Sequence, residues 1–290
     1  MSNLIDNSQP GSRGRSGALF APDSGGAEGQ DWRAKPLHMV IPVYNEGANF
    51  PGLWQAIRGS IKSEFEAFVV YDFDQDNTLP VVHQIIQAGE GRLHLLLSDS
   101  PGSVAGAIRT GFAHVPAGPV LVVMADLSDD LAQVDRMLAL YRQGYDLVAG
   151  SRYSRGGQMI GGPRFKKMLS RLAGVSLHWL RGLPTSDATN AFKLYDAAML
   201  QSLDLQSEKG FEISLEITVK AFLNGYRIAE IPTTWRDRSQ GESRFRLWVW
   251  LPRYLKWYAL AFQRRKKAAS WKGPAQDQGG LKQSDVRGDL

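Results

Sequence analysis

Short apolar and β-branched runs alternate along the chain with stretches in which apolar positions recur every three or four residues. His38–Val43, Ala67–Tyr71, Leu93–Leu97, Val120–Ala125 and Leu147–Ala149 read as strands, with helical patterns between them at about 50–63, 79–88, 103–114 and 131–143. Such alternation builds a sheet covered by helices on both faces, so the first half predicts a Rossmann-like α/β domain. After Gly150 the pattern changes. A Gly-rich loop leads to a basic helix near 164–181, an extended run Ala191–Tyr195, a helix near 212–224 stopped by Gly225, and a segment Tyr226–Ile231 ending at Pro232. Residues 1–34 and 268–290 show little periodicity and read as disordered arms. The expected division is therefore an arm at 1–34, a globular domain at 35–244, a helix with a basic patch at 245–267, and a tail at 268–290.

With 290 residues, 43% of them hydrophobic, the chain suffices for one large core. It contains no cysteine, which excludes disulfides and thiolate metal sites and makes a reducing cytoplasm the expected compartment. No run approaches the roughly 18 apolar residues of a membrane span, and the N-terminus lacks a signal-peptide core, so neither spanning nor export is expected. The formal charge of +5 is compatible with phosphate substrates, anionic lipid or nucleic acid, and the placement of the basic clusters has to discriminate among them.

Ligands of open α/β sheets sit beyond the carboxyl ends of the strands, and three motifs lie there. Ile41-Pro42-Val43-Tyr44-Asn45-Glu46 offers an aromatic face and a carboxylate to a base; it also reads as a Pro-stiffened turn with Asn45 capping the next helix. Tyr71-Asp72-Phe73-Asp74-Gln75-Asp76-Asn77-Thr78 brings three carboxylates to a strand tip, one of which can accept from a nucleobase ring N–H, or simply forms an Asx-rich turn. Met124-Ala125-Asp126-Leu127-Ser128-Asp129-Asp130 has the oxygen donors with which a hard divalent cation holds a diphosphate. Asp129 and Asp130 also suit a helix N-terminus, whereas Asp126 sits at the strand end itself.

Together these motifs resemble the GT-A fold of the inverting glycosyltransferase family that includes dolichyl-phosphate mannosyltransferase, over roughly Leu37 to Phe262. Pro42-Val43-Tyr44-Asn45-Glu46 is similar to the family's opening loop, Asp72 and Asp76-Asn77-Thr78 to its second-strand segment, and Asp126 to its metal motif. Gly150-Ser151-Arg152-Tyr153, Asp187 to Tyr195 and Gly241-Glu242-Ser243-Arg244 resemble three further motifs in the same order. The chain departs from the pattern at Tyr71, Met124, Lys193 and Arg244. The resemblance implies a mixed α/β sheet flanked by helices and transfer, with inversion, from a GDP-mannose- or UDP-glucose-type donor to a polyprenyl phosphate or similar lipid. It implies nucleotide contacts at Pro42, Tyr44, Glu46, Asp72 and Asp126, and Mg²⁺ or Mn²⁺ at Asp126, Ser128 and Asp130. Asp126, Lys193 and Arg244 would neutralise the departing diphosphate.

Arg152, Arg155, Arg164, Lys166, Lys167 and Arg171 form a basic rim beside this site, in which Arg152, Arg164 and Lys167 are expected to hold the acceptor's phosphate; a solvated helix face is the alternative. No His falls in a shared motif. A phosphate acceptor needs no general base, while a sugar hydroxyl would, and Asp187 is the candidate for that role. In Phe245–Phe262, Arg246, Arg253 and Lys256 gather on one helical side, and Leu247, Trp248, Leu251, Leu255, Tyr258 and Phe262 on the other, with Trp250 and Trp257 flanking the charges. Such a helix suits a headgroup layer, and the basic run through Lys267 would add about 1 kcal/mol per residue at an anionic leaflet. Packing on the domain is the alternative. The resemblance favours the membrane, giving a peripheral protein on the cytoplasmic inner face, compatible with a membrane-protein partner. Nucleic acid is not an expected partner, since no groove-reading motif is present. A catalytically weak GT-A domain acting as a nucleotide-binding or membrane scaffold is the competing class; an NAD enzyme would need a Gly-rich turn after the first strand.

Overall fold

The computed structural model describes residues 32–162, 164–237 and 247–265. The expected arms and the Gly241–Arg244 motif therefore fall outside the described residues, except that Trp32–Ala34, assigned to the arm, forms a 3-10 turn. Arg33 ties this turn down, donating to the Tyr145 carbonyl at 2.9 Å and pairing with Asp146 at 3.0 Å.

Seven strands form one sheet: β1 (Leu37–Pro42), β2 (Phe65–Tyr71), β3 (Leu93–Leu97), β4 (Pro119–Val122), β5 (Leu147–Ser151), β7 (Lys193–Asp196) and β8 (Ile228–Pro232). Their order is β3-β2-β1-β4-β7-β5-β8, and β7 alone of these runs antiparallel to its neighbours. The chain steps outward from β1 to β3 and then returns to place β4 on the other side of β1, so a topological switch lies between β1 and β4. A ligand crevice opens beyond the carboxyl ends at such a point.

The central strands are apolar on both sides because helices cover both faces. Against one face lie α1 (Phe50–Ser60), α2 (Thr78–Gln87) and α4 (Val134–Arg142), which bury Phe50, Leu53, Trp54 and Ile57 of α1 and Met137, Leu138 and Tyr141 of α4. Against the other lie α3 (Val104–Ala113), α6 (Ala197–Ser202) and α7 (Glu212–Leu223). A Cβ at Gly111 would stand 2.3 Å from Val40 Cγ1, so α3 rests directly on β1.

These elements match the expected ones closely. Three pieces do not show in the sequence pattern: α6 and the strands β6 (Gln158–Ile160) and β9 (Thr234–Arg236), which pair in parallel as a separate ribbon. Elements of three to six residues are too short to display a period.

The basic helix is α5 (Arg164–Arg181), and α8 spans Leu247–Leu260. The phase read for α8 needs correction. Trp257, expected beside the charges at a lipid boundary, is 3% exposed, between the Lys220 and Lys256 ammonium groups at 5.0 and 4.3 Å from its ring centre. The reason lies in α7, which is buried nearly all round and so needs a cover on its outer side. Trp257 and Ala261 supply it, leaving Leu255 and Phe262 exposed.

Candidate active site

The loops after β1 and β2 are locked together by backbone amides. One Asp76 carboxylate oxygen accepts from the Asn45 N–H at 3.0 Å, and the other accepts from the Thr78 N–H at the start of α2, at 2.8 Å. Thr78 Oγ1 accepts from the Glu46 N–H at 2.9 Å, and Asn77 Oδ1 from the Gly47 N–H at 2.8 Å. Asn45 adopts φ 56°, a left-handed conformation that Asn tolerates, and its side chain meets the Asn77 N–H at 3.3 Å instead of capping α1. A Cβ at Gly47 would stand 2.4 Å from the Asn77 carbonyl, so only Gly permits this approach.

The lock presents Tyr44 at the surface, edge-on to Phe73 with ring centres 5.4 Å apart, while Glu46 accepts from Asn49 Nδ2 at 2.7 Å. Pro42 is buried. Beside them, Asp72 accepts from the Gly102 N–H at 2.9 Å through Oδ2. Its Oδ1 is buried without a hydrogen-bond partner among the described residues. A buried carboxylate oxygen left open costs free energy, which a donor arriving from a ligand recovers.

The acid loop after β4 contains Leu127 at φ 60°. Asp126 is half-buried and accepts from the Ser128 N–H at 3.1 Å; Ser128 is buried. Asp130 accepts weakly from Gln133 Nε2 and the Thr234 N–H, both at 3.4 Å. Asp129 turns inward to the Met124 N–H at 3.0 Å, and burial pushes its carboxyl up to about 7, with Asp126 and Asp130 adding to the shift. An open cavity of about 200 Å³ lies on the α1 side of this loop, lined by Leu53, Met124, Asp129, Asp130 and Arg236 among others. Among the described residues no three acidic or His groups converge as a metal cage. The donor set still fits Mg²⁺ or Mn²⁺ in a site completed by phosphate and water, because such ions take only one or two carboxylates from the protein.

On the far side of the crevice, several expected phosphate-binding groups are committed elsewhere. Asp187 is fully buried and grips Arg152 bidentately, with Nε to Oδ2 at 2.7 Å and Nη2 to Oδ1 at 2.8 Å, and also accepts the Arg152 N–H at 3.0 Å. Burial opposes the Asp187 charge, but Arg152 overcomes it and holds the carboxyl below the usual range. This geometry does not suit a general base. Arg152, whose remaining bonds go to Ser170 and Thr189, is an internal counter-ion in place of a phosphate ligand.

Lys193 is likewise sealed under the 188–190 turn, where its ammonium donates to the Ala188 carbonyl at 3.0 Å, to the Asn190 carbonyl and to Ser214 Oγ at 2.7 Å. Burial pushes it down to about 7. Lys167 reaches the Met159 carbonyl at 3.1 Å. Arg164 begins α5, with its side chain outside the described set, and Arg244 is outside it altogether.

Glu230 was missed. It accepts from Thr185 Oγ1 at 2.9 Å and the Ser186 N–H at 2.7 Å, fastening the turn that carries Asp187 to β8. Its sequence signal, one acid in an apolar strand that ends at a Pro, is too slight to single it out.

Two outcomes follow from these burials. Asp187→Asn strands the Arg152 charge and should cost roughly 3–5 kcal/mol in urea denaturation; an unchanged stability with lost turnover would instead mark Asp187 as a base. For Lys193, the folded value near 7 lies below the unfolded 10.5, so the native state binds fewer protons between those values. Stability from this group is therefore present at high pH and is lost as pH falls toward 7. Melting curves from pH 7 to pH 10 should show that slope in the wild type and a flatter one in Lys193→Met.

A sequence profile described as Glycosyl transferase family 2 matches residues 39–203. Polyprenol monophosphomannose synthase of Mycolicibacterium smegmatis is 29% identical over 211 residues, covering 71% of this chain and 79% of that protein. Undecaprenyl-phosphate mannosyltransferase of Micrococcus luteus is 32% identical over 210 residues, covering 71% and 85% respectively. Among solved structures, glucosyl-3-phosphoglycerate synthase from Mycobacterium tuberculosis in complex with uridine diphosphate is similar with a TM-score of 0.57 at 14% identity, covering 78% of this chain and 79% of that one. The same enzyme with Mn²⁺, uridine diphosphate and glucosyl-3-phosphoglycerate gives 0.56 at 15% identity, with 78% of each chain covered. At such identities the likeness shows the fold alone. The chain belongs to glycosyl transferase family 2, in its dolichyl-phosphate mannosyltransferase-like group, and is a glycosyltransferase of the GT-A fold.

Proposed function

We propose that the chain transfers a hexosyl group, with inversion, from a nucleoside-diphosphate sugar to the phosphate of a polyprenyl phosphate. The unpartnered Oδ1 of Asp72 carries this reading, because it is a buried acceptor just beyond the carboxyl end of β2, the strand beside β1. It suits a base with a ring N–H, while Tyr44 offers the base an aromatic edge. The diphosphate then extends toward the acid loop. Asp126 and Asp130, with Ser128, are the groups that would hold Mg²⁺ or Mn²⁺, whose charge would make the diphosphate a better leaving group.

The acceptor phosphate oxygen attacks the anomeric carbon from the face opposite the diphosphate. One carbon–oxygen bond forms as the other breaks, and the diphosphate leaves with the electron pair. A polyprenyl phosphate is already ionised near neutral pH, so the burial of Asp187 removes nothing the reaction requires. The relatives named for polyprenol and undecaprenyl phosphate chemistry support a lipid acceptor, and with it a peripheral place on the inner face of a membrane. Arg155 and Arg171 remain for the acceptor rim, together with Arg164.

The test is transfer from radiolabelled GDP- and UDP-sugars to polyprenyl phosphate with Mg²⁺ or Mn²⁺. Labelled lipid should form, and Asp126→Ala should lower kcat by about 100-fold or more. Nucleoside diphosphate binding without any labelled lipid would identify a binding module in place of an enzyme.

A further inference from the structure

The two edge strands of the sheet are finished differently. β8 carries the acid Glu230 and ends at Pro232, features that discourage a further strand from adding on. β3 is Leu93-His94-Leu95-Leu96-Leu97, with no Pro, Gly, Lys, Arg, Asp or Glu in it. Leu97 is 55% exposed, and Leu95 and Leu96 are half-buried. Among the described residues no segment pairs with the outer side of β3. An apolar edge in this form is a template for another strand.

The ladder to β2 decides which backbone groups of β3 face outward. The Ala67 N–H donates to the Arg92 carbonyl and the Ser98 N–H to the Tyr71 carbonyl, both at 2.8 Å. Alternate residues of a strand face the same neighbour, so the even-numbered residues serve β2, and the N–H and C=O groups of Leu93, Leu95 and Leu97 point away from it. These three positions are spaced to pair with their own image. When two copies of β3 meet antiparallel about Leu95, Leu95 faces Leu95 and each Leu93 faces the other copy's Leu97. Every such facing pair can exchange two N–H···O bonds. The three leucines also share one face of the sheet, so they would form a continuous apolar row in which exposed Leu97 is covered by Leu93 of the second copy.

The two ends of β3 carry opposite charge. Before it, exposed Arg92 pairs with Glu90 at 2.8 Å and Arg58 stands 3.8 Å from the same carboxylate, which leaves a net positive charge there; after it stands exposed Asp99. Antiparallel pairing brings Arg92 of each copy beside Asp99 of the other, whereas parallel pairing would set like against like. We infer that β3 joins two copies of this chain into a two-fold dimer with one continuous sheet. The backbone register and the end charges both match when the strand meets itself, which favours a second copy over a foreign strand. The two-fold axis stands normal to the sheet, so the helices covering one face lie on the same side in both copies. The pairing is independent of which sugar and acceptor the crevice takes.

The experiment is analytical sedimentation of the full chain, joined to cross-linking. The wild type should sediment as a dimer. Leu97→Lys places a charge at an exposed edge position and should raise the dissociation constant about tenfold or more, with an unchanged melting temperature. Asp99→Arg should weaken the dimer, and adding Arg92→Asp should restore it by exchanging the charges. The register is read by disulfide formation, because the chain contains no cysteine to interfere. Leu95→Cys sets the two Cα atoms about 5.5 Å apart, within disulfide reach, and oxidation should give a covalent dimer. Leu97→Cys should give none, since its two copies stand roughly 14 Å apart along the strands. A wild type that stays monomeric at every concentration overturns the second copy and leaves the edge to a strand of another protein. A dimer that Leu97→Lys does not weaken, or one that cross-links through Leu97→Cys and not through Leu95→Cys, overturns the β3 pairing as well.

Discussion

The crevice depends on the two oxygens of Asp76. One holds the loop after β1 and the other starts α2, so a single buried carboxylate makes two strand ends move as one body. Backbone amides donating to a carboxylate are strong bonds, and they leave the loops little freedom. Tyr44, Glu46 and Asp72 owe their mutual placement to this bond pattern. The acids that look most chemical in the sequence thus divide into two kinds. Asp76 is spent on architecture, and Asp72, four residues earlier, has one buried oxygen without a hydrogen-bond partner among the described residues.

The opposite wall follows the same economy with buried charge. Arg152 and Asp187 neutralise one another, and Lys193 is stretched between two carbonyls and a hydroxyl. A buried pair of this kind adds little net stability, but removing one partner is expensive. Its effect here is to hold the 185–193 turn rigid against β5 and β8, with Glu230 as a further fastening. Cations that would bind phosphate in an open site are thereby withdrawn from it.

Most of the architecture was legible because parallel strands buried on both faces leave unmistakable apolar runs, as in Val120-Leu121-Val122-Val123. The strand ends at which ligands collect in such folds were legible too, since the motif order resembles a known family. The orientation of individual charges was not. Spacing puts Lys193 at the start of β7, but whether its ammonium faces the crevice or dives under the turn depends on Ser214, 21 residues later. The phase of α8 was misread for a related reason: both of its faces carry aromatics, and the inward one is chosen by α7's need for cover. Pairing of β6 with β9 joins segments too short to announce themselves.

The central claim is that the strand ends cradle a nucleoside diphosphate through the open oxygen of Asp72. Calorimetric titration with a set of nucleoside diphosphates tests it most directly. Uracil and guanine carry a ring N–H that this oxygen can accept, whereas cytosine and adenine present a lone pair at the corresponding position. The account predicts that UDP or GDP binds more tightly than CDP and ADP, and that Asp72→Ala removes the preference by weakening the favoured ligand about tenfold or more. Equal affinities across the four diphosphates, unaltered by Asp72→Ala, would contradict it.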